Sequence, residues 1–274
     1  HFLSDIVGLV YLGILFPEFK ESRKWLKRGV ESLESEIKRQ VYDDGVDFEA
    51  SISYHRLVTE FFGYAAWLCK LNNIALSESF WQKLRKMFEF AYFYAKPNGL
   101  APQIGDNDDG RLHLLLEDYY NWDKRDHRHL FWLYEQMYGS STTLDGEAEL
   151  PAGSSASKSF PDAGIYIMRS DQMYCIVDCG PNGQGGNGGH AHNDALSFEL
   201  NAGGKDFIVD PGTFVYTAYP EWRNYFRSTR MHNTVVIDGE EQNRFLQETL
   251  FALLNDAICK VNKWESNERV DFLN

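Results

Sequence analysis

The hydrophobic period of this chain changes once, near Gly139, and that change limits the possible folds more than any other feature. Between Ser22 and Gln40, apolar Leu26, Val30, Leu33 and Ile37 recur at helical spacing, with Lys, Arg and Glu between them. Runs over Phe48–Leu71, Ser79–Tyr94 and His127–Tyr138 predict further helices joined by short loops, an all-helical bundle or α/α layer. Their dense rings (Phe61, Phe62, Tyr64, Trp67, Phe80, Trp81) are expected to pack between helices rather than to stack on a sugar. From Gly139 to Ser159 the chain is rich in Ser, Gly, Ala and Thr, as a linker would be. Beyond it, Gly164–Arg169, Met173–Asp178, Leu196–Asn201, Asp206–Asp210 and Thr234–Asp238 are short, β-rich and bounded by turn residues. They predict an antiparallel sandwich. The expected organisation is a helical part over 1–140, a linker over 141–159 and a β part over 160–274.

Composition removes several classes. Twenty-seven Lys and Arg against 40 Asp and Glu leave a net charge of −13, which excludes a generic nucleic-acid binder. No run approaches the ~18 to 20 apolar residues of a membrane span, and mean hydropathy is −0.42. Four cysteines (Cys69, Cys175, Cys179, Cys259) without a C-x-x-C pair make neither a disulfide scaffold nor a zinc knuckle. The chain opens at His1 inside an apolar run and stops at Asn274 in mid-pattern, so it reads as a fragment.

The strongest chemical signal is the segment from Gly180 to Asp194, with six glycines before His190-Ala-His192-Asn-Asp194. Such glycine density means tight turns or close backbone approach. In extended chain His190 and His192 project to one side, where they can share a metal or divide the work between metal and substrate. Asp210, before Pro211-Gly212, and His232 complete a chemically sensible divalent site, with zinc the usual choice for such ligands. A second cluster runs from Asp43 to His55, where Tyr54 and His55 open a long helix. A third, Gly105-Asp-Asn-Asp-Asp-Gly-Arg111, resembles a calcium loop, but Gly110 stands where that loop needs an acid or amide; a polar turn or cleft rim fits it. A cupin would need a Glu near Leu196 and has no place for the helical half.

Taken together, Gly189-His-Ala-His-Asn-Asp-Ala-Leu-Ser-Phe198, Asp210-Pro-Gly-Thr213, Arg223-Asn-Tyr-Phe-Arg-Ser-Thr229 and His232-Asn-Thr234 resemble the heparinase II/III-like family of polysaccharide lyases. Residues 42–55 and the opening His1-Phe-Leu-Ser resemble its helical domain. The resemblance implies an α+β multidomain fold: an incomplete α/α toroid followed by an antiparallel β-sandwich, here truncated at both ends, with the cleft between them. It implies β-elimination on uronic-acid polysaccharides, in which C5 loses a proton, the C4–O bond breaks and a 4,5-unsaturated uronate remains.

By the same resemblance, Tyr54 is the catalytic acid and His190 the base or the partner of the carboxyl group. His1 belongs to an Asn-His pair whose Asn would precede it. His192, Asp210 and His232 are the ligands of a structural metal. Glu49, His55, Arg111, Tyr216 and Arg227 are expected to bind substrate, and Arg56, Arg223, Arg230 and Tyr225 are further candidates. The partner is an acidic polysaccharide, with no nucleic acid and no membrane span, and the family's usual setting is a bacterial periplasm or exterior. Two rivals stand beside this reading. One is a non-catalytic acidic-polysaccharide-binding protein on the same scaffold. The other is a glycoside hydrolase, which needs paired carboxylates across the cleft, for which Asp47, Glu49 and Asp106 are the candidates.

Overall fold

The computed structural model describes residues 1–114, 118–139, 156–246 and 249–274. Five helices come first: α1 (Phe2–Leu15), α2 (Ser22–Gln40), α3 (Ile52–Leu71), α4 (Glu78–Tyr94) and α5 (His129–Tyr138). The predicted runs became helices with their starts shifted by up to four residues, and two of them begin at side-chain caps. Ser51 accepts the Tyr54 N–H at the start of α3, and Ser77 accepts the Phe80 N–H at the start of α4. The opening apolar run is α1, a helix the periodicity reading missed. It lies tightly on α2, where a β-carbon at Gly29 would meet the Val10 side chain at 2.8 Å.

Five strands then form one antiparallel meander in sequential order: β1 (Lys158–Phe160), β2 (Ile165–Arg169), β3 (Met173–Asp178), β4 (Phe198–Ala202) and β5 (Lys205–Ile208). The short α6 (Pro220–Phe226) follows, and β6 (Trp264–Ser266) pairs with β7 (Asp271–Leu273) near the end. Alternation sends Ile165, Ile167, Tyr174 and Ile176 to one face, where they join Phe62, Phe88, Phe90 and Tyr94 of the helices in a single core. The Phe90 and Phe160 rings lie 4.7 Å apart, and the Tyr174 hydroxyl donates to the Tyr94 carbonyl at 2.7 Å. Lys96, just past α4, reaches into the sheet and pairs with Glu199 at 3.2 Å and Asp206 at 3.0 Å.

Among the described residues the β part is one five-stranded antiparallel sheet and a two-stranded one, whose Trp264 ring lies 5.3 Å from that of Tyr166 in β2. Other segments differ from expectation or fall outside the described residues. Thr234–Asp238 is irregular: Val235 and Ile237 are exposed, and the Thr234 hydroxyl is spent on the Ala195 carbonyl. Pro220–Phe226 is helix, with proline at its favoured first position. The expected linker lies mostly in 140–155, outside the described residues, and its last residues already belong to β1.

Candidate active site

Three segments meet where the helices face the sheet. The Ser51 cap puts Tyr54 on the first turn of α3. The loop after Ile104 is threaded between that helix and the glycine-rich segment: the Ile52 N–H donates to Ile104 O, the Ser51 hydroxyl to Asp106 O, and the Asp106 N–H to His190 O. Gly105 must be glycine, because its φ is +66° and a β-carbon would strike the carbonyls of Ala50 and His190. The third segment delivers His190, whose ring stacks on Tyr54 with centroids 3.6 Å apart and planes 19° from parallel.

The Tyr54 hydroxyl donates to Asp108 Oδ2 at 3.4 Å. The Tyr216 hydroxyl lies 3.3 Å from the Asn107 carbonyl and 3.5 Å from the Tyr54 oxygen. Burial, aided by the negative charges of Asp108 and Asp106, raises the Tyr54 phenol above its ordinary value despite the Tyr216 hydrogen bond. Tyr54 is therefore protonated at neutral pH and able to donate. Tyr54, His190, Tyr216, Glu49, Asp108 and His1 line a cleft of about 760 Å³. Glu49 accepts from the Gln184 amide at 3.0 Å, and His1 sits exposed at the rim before α1.

Asp106, expected above only as a candidate hydrolase carboxylate, lies behind the stacked pair. It is 1% exposed, and the shortest bonds to its carboxylate come from His190 Nδ1 and His192 Nε2, each at 2.9 Å, and both terminal nitrogens of Arg223 at 2.7 and 2.8 Å. Burial opposes its ionisation, but the His190 and His192 hydrogen bonds and the Arg223 guanidinium hold its carboxyl well below the usual carboxylate range.

Next to it, His192, Asp194 and His232 are all buried and offer ligand atoms within 4.8 Å of one another. His192 Nδ1 and His232 Nε2 are buried without a hydrogen-bond partner, an arrangement that could take up a divalent cation. The expected set is thereby altered. Asp210 stands behind His232, one oxygen 2.6 Å from its Nδ1 and the other accepting from Gly212 N–H, while Asp194 takes its place in the cluster. The negative balance is marked, since burial and the charge of Asp194 drive the nearby Asp178 well above the ordinary carboxyl value.

Three expected substrate contacts fall elsewhere. His55, one residue and so ~100° around the helix from Tyr54, is 1% exposed; it accepts from Asp47 N–H and donates to Met87 O. Arg111 is buried along its side chain, lies over the Trp122 ring and donates to Lys124 O. Arg227 is fully buried, bonded to Asn224 and Ala252 O, and burial pushes its guanidinium down to about 10. Of the carboxylates a hydrolase would need, Asp47 and Asp106 are buried at 2% and 1% exposure. Glu49 alone of the three lines the cleft.

The heparinase II/III N-terminus matches residues 1–126, and the heparinase II/III-like C-terminal region matches residues 152–271. The chain is 29% identical to the heparin-sulfate lyase of Pedobacter heparinus, over 100% of this chain and 39% of that protein. It is 30% identical to the heparin-sulfate lyase of Bacteroides stercoris, over 98% of this chain and 39% of that protein. The crystal structure of heparan sulfate lyase HepC from Pedobacter heparinus superposes with a TM-score of 0.75 at 26% identity, covering 99% of this chain and 40% of that one. The chain thus spans about two fifths of the length of these relatives. With both regions matched in order along it, the chain belongs to the heparinase II/III-like family.

Proposed function

We propose that the protein of which this chain is part is a polysaccharide lyase that cleaves an acidic, uronate-containing glycan of the heparan sulfate type by β-elimination. The observation that carries the reading is the protonated Tyr54 phenol stacked on His190 at the wall of a polar cleft. Elimination needs a base at C5 and an acid at the C4 oxygen on one substrate face, and two groups in ring contact can serve adjacent atoms of one sugar. His190 offers the base; Tyr54 delivers its proton to the leaving oxygen, and Tyr216 and Asp108 hold that hydroxyl in place. His1 and Glu49, on the same cleft, contact the sugar. The heparan sulfate type is supported by the names of the curated relatives.

His192, Asp194 and His232 are proposed to hold a divalent cation, zinc by the chemistry of two imidazoles and a carboxylate. When bound it would neutralise the buried carboxylates and stiffen the cleft floor, without touching substrate. A polymeric substrate places the work in the periplasm or outside the cell.

The test incubates the full-length protein with heparan sulfate, chondroitin sulfate, hyaluronan and alginate while following ultraviolet absorbance of the unsaturated product. Tyr54→Phe should keep its circular dichroism and lose ~10² to 10⁴-fold in rate. Undiminished turnover in that variant would remove the assignment, and new reducing ends without absorbance would replace elimination by hydrolysis. Binding of a glycan with neither signal would favour a non-catalytic binder.

A further inference from the structure

We propose that Asp106 is a positioning residue shared by two imidazoles: it fixes His190 with the proton on Nδ1, leaving the Nε2 lone pair for the cleft, and fixes His192 with the proton on Nε2, leaving the Nδ1 lone pair for the metal cluster. The His190 half rests on the lyase reading; the His192 half does not.

The argument begins with donor counting. An ionised carboxylate only accepts, and a neutral imidazole carries one N–H. His190 presents Nδ1 and His192 presents Nε2 to the two oxygens of Asp106, each at 2.9 Å. In the neutral form each ring spends its one proton there, and the opposite nitrogen of each is a lone pair. The leftover atoms behave accordingly. His192 Nδ1 is buried and unpartnered beside Asp194 and His232. His190 Nε2 has no protein partner among the described residues, and its ring lines the cleft against Tyr54.

One residue between the histidines lets both reach one carboxylate from the same side. Asp106 is itself immobilised by the Arg223 fork, by Thr213 Oγ1 at 3.4 Å and by its main-chain bonds to His190 and Ser51. Asp210 does the same for His232, taking Nδ1–H and freeing Nε2. Two aspartates thus orient three rings, as carboxylate partners orient ligating histidines elsewhere.

The test uses the full-length protein and Asp106→Asn, whose amide accepts through one oxygen only and so cannot hold both rings as the carboxylate does. The expected result is a ~10² to 10⁴-fold fall in kcat with KM little changed, and a ~10 to 100-fold weaker affinity for Zn²⁺ added alone. His190→Gln should bind Zn²⁺ like wild type, and combining it with Asp106→Asn should cost no more rate than the slower single variant. Losses that multiply, or wild-type Zn²⁺ affinity in Asp106→Asn, overturn the proposal.

Should Asp106→Asn fail to fold, nitrogen-15 spectra of histidine-labelled wild-type protein decide the question directly. Nδ1–H on His190 and Nε2–H on His192 support it, and either reversed tautomer overturns it. A wild-type protein that produces no unsaturated ends defeats the lyase reading alone, because the Zn²⁺ and tautomer measurements still judge Asp106.

Discussion

His55 sits beside Tyr54 in sequence, yet it should behave as a buried pH-sensitive strut. Burial lowers its imidazole from 6.5 to about 4. The folded protein therefore prefers the neutral ring, and protonation favours unfolding. The contribution is complete above 6.5 and is lost as pH falls toward 4, at up to ~1.4 kcal/mol per pH unit, a total of about 3 kcal/mol. His55→Gln can satisfy only one of the Asp47 N–H and the Met87 carbonyl, so at neutral pH it should be less stable by ~1 to 3 kcal/mol. Near pH 4 the wild type has lost a contribution that the variant never had, so the gap between them should close or reverse. Urea unfolding of both proteins across this range measures it. His127, which burial also lowers, is common to both proteins, and His55 contributes least among the charges of Arg56, Arg111, His129 and His55 that act on it. A gap that stays constant with pH would refute the reasoning, as would a variant that changes substrate affinity and leaves stability alone.

Removing the Lys96 ammonium by Lys96→Met strands Glu199, which is 3% exposed, and should cost ~3 to 5 kcal/mol in urea unfolding; adding Glu199→Gln should recover part of it. Gly105→Ala places a β-carbon against two carbonyls at positive φ. It should destabilise by more than ~1 kcal/mol and slow turnover by displacing His190, and wild-type melting in that variant would contradict the threading of the loop. Asp108→Asn removes a negative charge that helps to raise the Tyr54 phenol. The phenolate absorbance assigned by comparison with Tyr54→Phe should then appear at lower pH, and the alkaline limb of the rate profile should move the same way.

How much of this could be read from the chain depends on the range of each signal. Helices α2 to α5 were legible because periodicity is local, and His190 and His192 because glycine density and two-residue spacing are local too. Asp106 was not, because GDNDDG has the composition of a solvated loop and its partners lie 84, 86 and 117 positions away. Asp194 was quoted beside the histidines without a role, since only the fold shows which acid joins them. Tyr54 and His55 are adjacent in sequence, yet the helix sends one to the cleft and the other to the core. Arg227 and Arg111 looked like a polyanion's counter-charges, but their guanidinium groups are used to hold carbonyls of the chain itself. Val235 to Ile237 carry strand composition, but composition without a pairing partner makes no strand.

The core shared by α4 and the sheet also bears on how the cleft can open. Opening the cleft by swinging one half away would wet Phe90, Phe160, Tyr174 and Ile176 together and pull Lys96 from both acids. At ~25 cal/mol per Å² of apolar surface, that costs several kcal/mol. Helices and sheet therefore move as one piece, and whatever enters the cleft does so through its open sides rather than by a hinge between them.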